Sequence, residues 1–325
     1  MMFLELFGGL TWLLLAGDLL VRGSVALARR AGIPPVVVGL TIVAFGTSAP
    51  ELVISVSSAL RGYPEVAMGN VVGSNIANVL LVLGLPALFA PTLCNQKNIG
   101  WDLILMLVAS ALFTAFCFRG PLGPVQGVVL LIGITAVLVR AGRQTSRDPA
   151  AQAAAAEELE RVLGLPARRR MIVLFLVLGC VGLPVGADLM VGGAIQIAES
   201  LGVSTTVISL SIVALGTSLP ELATTVVAAY HRNSDVAVGN IIGSNLFNLL
   251  AIIGITAIVA PQPIPIPASL LHFDLWVMLA AALALSYLVW FQNSISRLSG
   301  AVLFAGYVAY LVLLFSRPMS AAAAG

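Results

Sequence analysis

Apolar residues in this chain gather into long runs separated by short polar or basic breaks. A run of roughly 20 apolar residues is what an α-helix needs to cross a bilayer. Ten such runs can be read: about Leu4–Ala28, Pro35–Leu60, Val66–Ala90, Ile99–Phe118, Val125–Val139, Met171–Ala198, Thr205–Tyr230, Val236–Ala260, Leu270–Trp290 and Gly300–Phe315. The fifth is short at these bounds and is expected to extend toward Gly123 and Gly142. The pattern predicts an all-α polytopic membrane protein with ten transmembrane helices. The first run resembles a secretory signal in position, but Met1–Phe7 carries Glu5 and no Lys or Arg, so the basic n-region is missing. It is expected to be retained as the first helix.

Basic residues then orient the helices, because cytoplasmic loops carry an excess of Lys and Arg. With the N-terminus outside, the inner loops hold Arg29, Arg30, Lys97, Arg140, Arg143, Arg147, Arg161, Arg168, Arg169, Arg170, Arg232 and Arg297. The outer side holds Arg61, Arg119 and Arg317, and Arg22 lies inside the first helix. Both termini are therefore expected outside. The longest connection, Ala141–Arg170, reads as a solvated linker with room for a short surface helix, and Arg168–Arg170 as a topology anchor.

The chain repeats itself at a shift of 170 residues, setting Thr41–Gly84 against Ser211–Gly254. Without a gap, 21 of these 44 positions are identical. The register continues upstream, where Asp18 matches Asp188 and Gly23 matches Gly193. The expected organisation is a first repeat over residues 1–140, a cytoplasmic linker over 141–170 and a second repeat over 171–325. Five crossings per half is an odd number, so the second repeat enters the membrane from the opposite side. Inverted repeats of this kind place a substrate site at their interface near the midplane and supply two near-equivalent gates.

The repeated segments carry the candidate chemistry. The second and seventh helices contain GTSAPE (Gly46–Glu51) and GTSLPE (Gly216–Glu221). Pro50 and Pro220 lack an amide hydrogen, and the nearby glycines loosen the turn, so both helices are expected to break. Backbone carbonyls freed at membrane depth are tolerable only where protein or a bound ion satisfies them. Thr47, Ser48, Thr217 and Ser218 add hydroxyls, and Glu51 and Glu221 add carboxylates. The third and eighth helices carry GNVVGSNIAN and GNIIGSNLFN, in which Ser74 and Asn78, and Ser244 and Asn248, share a helical face. Glu51 lies about 13 residues before the hairpin turn near Tyr63–Pro64 and Asn78 about 14 after it, so at about 1.5 Å per residue both sit about 20 Å from the turn, near the membrane centre. The same counting pairs Glu221 with Asn248. An oxygen-only cluster with two carboxylates suits hard cations such as Ca²⁺, Na⁺ or Mg²⁺. Uncompensated acids at the membrane centre cost several kcal/mol, which resists passage of a bare, charged site through a closed intermediate. Obligatory exchange follows from that cost.

Composition sharpens the picture. Of 325 residues, 59% are apolar and 9% charged, against roughly 25% charged in a soluble domain, so lipid is the expected solvent for most of the surface. The net charge of +2 argues against a nucleic-acid partner. Cys94, Cys117 and Cys180 match no disulfide or metal spacing and are expected to serve packing. No cofactor and no obligatory protein partner is implied; the expected partners are the bilayer and the transported ions.

At the two GTSxPE and GNxxGSNxxN segments the sequence resembles the sodium/calcium exchanger family, within the wider cation/calcium antiporter superfamily, and the similarity extends over the ten-helix core. The resemblance implies electrogenic exchange of several Na⁺ for one Ca²⁺ at a central site. It implies that Glu51 and Glu221 are the principal ion-binding acids. Thr47, Ser48, Ser74, Asn78, Thr217, Ser218 and Ser244 match polar ligands, and Ala44 and Ala214 match backbone-carbonyl donors. Asn248 stands where several relatives, including potassium-dependent ones, have Asp, which argues against K⁺ co-transport. The resemblance does not extend to the large regulatory domain of animal exchangers, and the short form is similar to bacterial inner-membrane members.

The main alternative keeps the fold and changes the driving ion to H⁺, but that branch resembles GNxxE at the key helices. An intramembrane hydrolase would need a nucleophile with a base, an aspartate dyad or a metal motif, and none is present; a passive cation channel does not require the inverted repeat. Outside the cluster, Asp18 and Asp188 read as residues of a fixed structural hydrogen bond, the alternative being that they help the first and sixth helices slide during access switching. Asp102 and Asp274 read as acids favouring a helix N-terminus, and His231 and His272 as interfacial side chains.

Overall fold

The computed structural model describes residues 2–31, 35–94, 99–143, 165–166, 168–200, 216–231 and 233–316. Ala214, Arg232, most of the Ala141–Arg170 connection and the first part of the predicted seventh helix lie outside the described residues.

The apolar runs form α-helices that keep their backbone hydrogen bonds within each segment, as the interior of a bilayer requires. They are α1 (Met2–Ala31), a bent second helix made of α2a (Gly39–Thr47) and α2b (Ala49–Leu60), α3 (Pro64–Phe89), α4 (Ile99–Arg119) and α5 (Pro124–Arg143). The second half holds α6 (Arg169–Ser200), α7 (Leu219–Tyr230), α8 (Ser234–Val259), α9 (Leu270–Gln292) and α10 (Arg297–Ser316). Among the described residues, eight helices are long and apolar enough to cross a membrane, and the bent pair adds a ninth. Val125, Ile132, Trp12 and Val302 lie exposed on the helix exteriors, where lipid is the natural solvent.

Position in the bundle follows burial. The most apolar stretches of α3 and α8 are 78% and 83% buried, against 33% for those of α1 and α6. The two polar GSN-containing helices thus form the centre and the two plainly apolar ones a flank.

The contacts of that flank carry a two-fold relation between the halves. Gly9 of α1 presses against the backbone of Met190 in α6, and its repeat mate Gly179 presses against Leu20 in α1; Leu20 and Met190 are themselves repeat mates. Gly23 against Leu176 and Gly193 against Leu6 form a second such pair. Short clips repeat the relation outside the helices: Thr92–Leu93 (β1) pairs antiparallel with Ser294–Ile295 (β2), and Leu122 pairs with Ile264.

Two features of the backbone differ from the simple pattern. The break in the second helix lies at Ser48, with a bend of 51° between α2a and α2b, and Pro50 sits in the first turn of α2b. Proline is favourable there because the first-turn amides have no intrahelical acceptor. The central helices are not uniform α-helix either: Asn78–Leu83 and Phe247–Ile252 are wide π-helical turns at equivalent positions of the two halves. Such turns shift the facing of every residue beyond them and are common at functional sites.

Candidate functional site

Both glutamates begin a helix segment. Ser48 and Ser218 hold the same non-helical backbone, with φ −86°, ψ 7° and φ −89°, ψ 3°, and Glu51 and Glu221 follow in the first turns of α2b and α7. The open N–H groups of a first helical turn favour a negative charge. Each glutamate is 1% exposed, and the two carboxylates lie within electrostatic reach of one another.

Side chains from both halves converge on Glu221. The Ser48 hydroxyl donates to Glu221 Oε1 at 3.0 Å and the Ser244 hydroxyl donates to the same oxygen at 3.4 Å. The Thr47 hydroxyl lies 3.4 Å from Ser244 Oγ and 3.3 Å from Asn240 Oδ1. Asn240 in turn donates to Thr224 Oγ1 at 3.1 Å, tying the bend of the second helix to α7 through α8. On the other side, Asn70 donates to the Glu51 carbonyl at 3.2 Å and to Ser55 Oγ at 3.0 Å, fixing α2b on α3. Asn78 donates through Nδ2 to Asn245 Oδ1 at 3.0 Å.

These bonds leave acceptors over. Glu51 Oε2, Glu221 Oε2, Asn78 Oδ1 and both polar atoms of Asn248 are buried without a hydrogen-bond partner. An unpaired buried polar atom forfeits about 1–3 kcal/mol, more for a charged group, so such atoms call for a positive partner. Two carboxylate oxygens and the amide oxygens of Asn78 and Asn248 form an oxygen-only donor set, and among the described residues no cluster of three or more His, Cys, Asp and Glu competes with it for a metal. Hard cations fit this set; soft ones do not.

The hydrogen bonds join part of the predicted set, and burial alone is seen for the rest of those described. Thr47, Ser48, Ser244 and Glu221 are directly connected, and Glu51, Asn78, Asn248, Ser74 and Ser218 are buried. Thr217 is half-buried, and Ala214 lies outside the described residues. The Ala44 carbonyl is not released by the break, since it accepts from the Ser48 amide at 2.9 Å and the Thr47 hydroxyl at 3.3 Å. The carbonyl that Pro50 leaves without its helical donor is instead that of Gly46, four residues earlier. Asn70, Asn240 and Asn245 are further members of the network; their signal in the sequence was the exact repeat of GN and SN within both halves.

Three acids and a histidine outside the cluster take long-range partners that local pattern does not reveal, beside the i,i+4 pair of Asp18 with Arg22. Asp18 pairs with Arg22 at 2.8 Å and with His231 at 2.5 Å, so His231 is a partner of α1 and not simply interfacial, while Asp188 is exposed. Asp102 pairs with Arg140 at 2.6 Å, and Asp274 accepts from the Tyr310 hydroxyl at 3.1 Å. A cavity of about 630 Å³ lies between the ends of α3 and α7, lined by Leu85, Pro86, Phe89, Val226 and Tyr230 among others. It contains no acid and is separate from the polar cluster.

A family model for the sodium/calcium exchanger protein matches residues 2–140 and 171–316. The chain is similar to the putative antiporter CaxA of Alkalimonas amylolytica, at 37% identity over 95% of this chain and 97% of that one. It is similar to the sodium/calcium exchanger MaX1 of Methanosarcina acetivorans, at 33% identity over 96% and 98%. Among solved structures it resembles the sodium-calcium exchanger NCX_Mj, with a TM-score of 0.82 and 28% identity over 98% of this chain and all of that one. With the duplicated glutamates, the mirror-related helix contacts and a family match across both repeats, the chain belongs to the sodium/calcium exchanger family.

Proposed function

We propose that this protein is a secondary active antiporter that exchanges Na⁺ for Ca²⁺ across the membrane by alternating access at the Glu51–Glu221 site. The observation that carries this reading is the set of buried, unpartnered oxygens on Glu51, Glu221, Asn78 and Asn248, drawn from both halves of an inverted repeat. Two carboxylates balance one divalent cation or two monovalent ones, so a calcium ion and sodium ions can replace one another without leaving bare charge in a dry site. The hydroxyls of Thr47, Ser48, Ser74, Thr217, Ser218 and Ser244 complete the shell in this reading. A cation reaching the Ala44 carbonyl displaces the Thr47 hydroxyl from it.

The halves, residues 1–140 and 171–325, act as the two mirror-related gates about a cytoplasmic linker at 141–170. The charge distribution supports an inner-membrane protein with both termini outside. The apolar cavity lined by Val226, Ala229 and Tyr230 supports an inner access route, since it lies along the last turn of α7, the end that this orientation turns inward, and a path from there to Glu221 belongs to this reading. The names of MaX1 and NCX_Mj support sodium as the counter-ion.

Everted vesicles preloaded with Ca²⁺ provide the test. Release on addition of Na⁺ is the expected result. Release driven by a pH step and indifferent to Na⁺ would transfer the assignment to an H⁺/Ca²⁺ exchanger, and single-channel currents with no counter-ion requirement to a passive pore.

A further inference from the structure

Asn78 can serve a cation only if its amide presents oxygen and not nitrogen to the site, and an amide is free to flip unless its neighbours forbid it. The structure holds a chain of contacts that forbids it. Met106 of α4 is fully buried, and its thioether sulfur can accept a hydrogen bond but never donate one. Asn245 of α8 points Nδ2 at that sulfur, at 3.8 Å. This turns Asn245 Oδ1 toward Asn78, and a carbonyl oxygen can be met only by a donor. Asn78 meets it with Nδ2 at 3.0 Å, which leaves Asn78 Oδ1 as the buried acceptor without a partner.

We infer that Met106 and Asn245 are positioning residues that lock the Asn78 amide with its oxygen presented for cation binding. The inference rests on the exchanger reading above and goes beyond it, since neither residue offers an atom to the ion. The repeat supplies an internal comparison. Asn75 and Asn248 stand where Asn245 and Asn78 stand in the other half, and Met278 matches Met106 in the local register that sets Asp102–Leu103 against Asp274–Leu275, but they are not linked in this way. Asn75 donates to the Val71 carbonyl of its own helix at 2.7 Å, while Asn75 Oδ1 and both polar atoms of Asn248 have no partner. The same residue types therefore do not lock the amide by themselves; the specific Met–Asn–Asn alignment does.

The test compares Asn245→Leu and Met106→Leu in vesicles, reading the KM for Ca²⁺ and the maximal rate of Na⁺-driven uptake separately. Leucine keeps the bulk at either position and removes the polar contact. Both variants are expected to raise the KM roughly tenfold, as loss of an outer-shell partner does, with the maximal rate little changed. In an Asn78→Ala background, Met106→Leu should add nothing further, because the amide it positions is gone. A leucine variant at 106 that leaves the KM unchanged, or one that lowers the affinity as much in the Asn78→Ala background as alone, would overturn the relay. Met106→Leu also covers the case in which Asn245→Leu fails to fold. Absence of Na⁺-driven uptake by the unmodified protein would overturn the exchanger reading and the relay with it, whereas normal uptake with unaffected relay variants overturns the relay alone.

Discussion

Asp102 and Arg140 form an ion pair at 2.6 Å, whereas in the second half Asp274, which aligns with Asp102 in the local DLxxML match, accepts a hydrogen bond from the Tyr310 hydroxyl at 3.1 Å. The two halves thus solve one problem, a carboxylate near the end of a membrane helix, in two ways. Arg140 also lies over the Trp101 ring, 5.9 Å from its centroid. Removing the arginine strands a nearly buried carboxylate, which costs about 3–5 kcal/mol in a fully buried pair and less here, because the arginine side chain is 31% exposed. Arg140→Ala is expected to lower the melting temperature of the detergent-solubilised protein. Arg140→Lys, which keeps the positive charge opposite Asp102, should recover much of the loss. Equal melting temperatures for the two variants would count against the pair as a stabilising contact.

Glu51→Gln and Glu221→Gln keep the shape of the site and remove its charge. Each is expected to abolish Na⁺-driven Ca²⁺ uptake, a loss beyond the roughly 10–100-fold that follows removal of an outer-shell partner. Expression and gel-filtration behaviour should stay unchanged. Ser48→Ala removes a 3.0 Å donor to Glu221 Oε1 and leaves both charges, so a partial loss of affinity is the expected outcome. Normal exchange in either glutamine variant would refute the site.

The ten-helix plan, the inverted repeat and the duplication of the glutamates were legible in the sequence because they rest on run length and exact duplication, which survive without any knowledge of packing. What was not legible depends on partners far apart in the chain. Asp102 obeyed a local rule for helix N-termini, but Arg140, 38 residues on, decides its role. His231 looked interfacial until Asp18 of α1 met it across 213 residues. Pro50 marked a broken helix correctly, yet the bend settled at Ser48, because proline is comfortable in a first turn. The π-helical turns at Asn78–Leu83 and Phe247–Ile252 have no signature in hydropathy at all, since widening a turn changes facing and not composition.

The α1–α6 contact predicts a sharp contrast between adjacent glycines. A Cβ on Gly9 would stand 2.4 Å from the Met190 backbone nitrogen, which cannot move aside, whereas a Cβ on Gly8 meets nothing within 4 Å. Gly9→Ala is expected to cost about 1–3 kcal/mol, the usual range for overpacking, and Gly8→Ala almost nothing. Gly179→Ala should behave like Gly9→Ala, because its Cβ would meet Leu20 at 2.6 Å. Thermal melting of the three variants checks this; similar losses at positions 8 and 9 would contradict the close helix approach.

Access from the inner face can be tested at Val226, which lines the cavity between the ends of α3 and α7. The native thiols make a quiet background: Cys94 and Cys117 are buried and Cys180 is half-buried. Val226 lies five residues beyond Glu221, a little over one helical turn, so a charged adduct there sits on the route proposed for the ion without touching its ligands. A membrane-impermeant charged thiol reagent is expected to block exchange by Val226→Cys when applied to everted vesicles and to spare it when applied to right-side-out ones. The unmodified protein should resist the reagent from both sides. Block from the outer side alone would invert the proposed orientation, because the loop between α7 and α8, and the cavity with it, would then face outward.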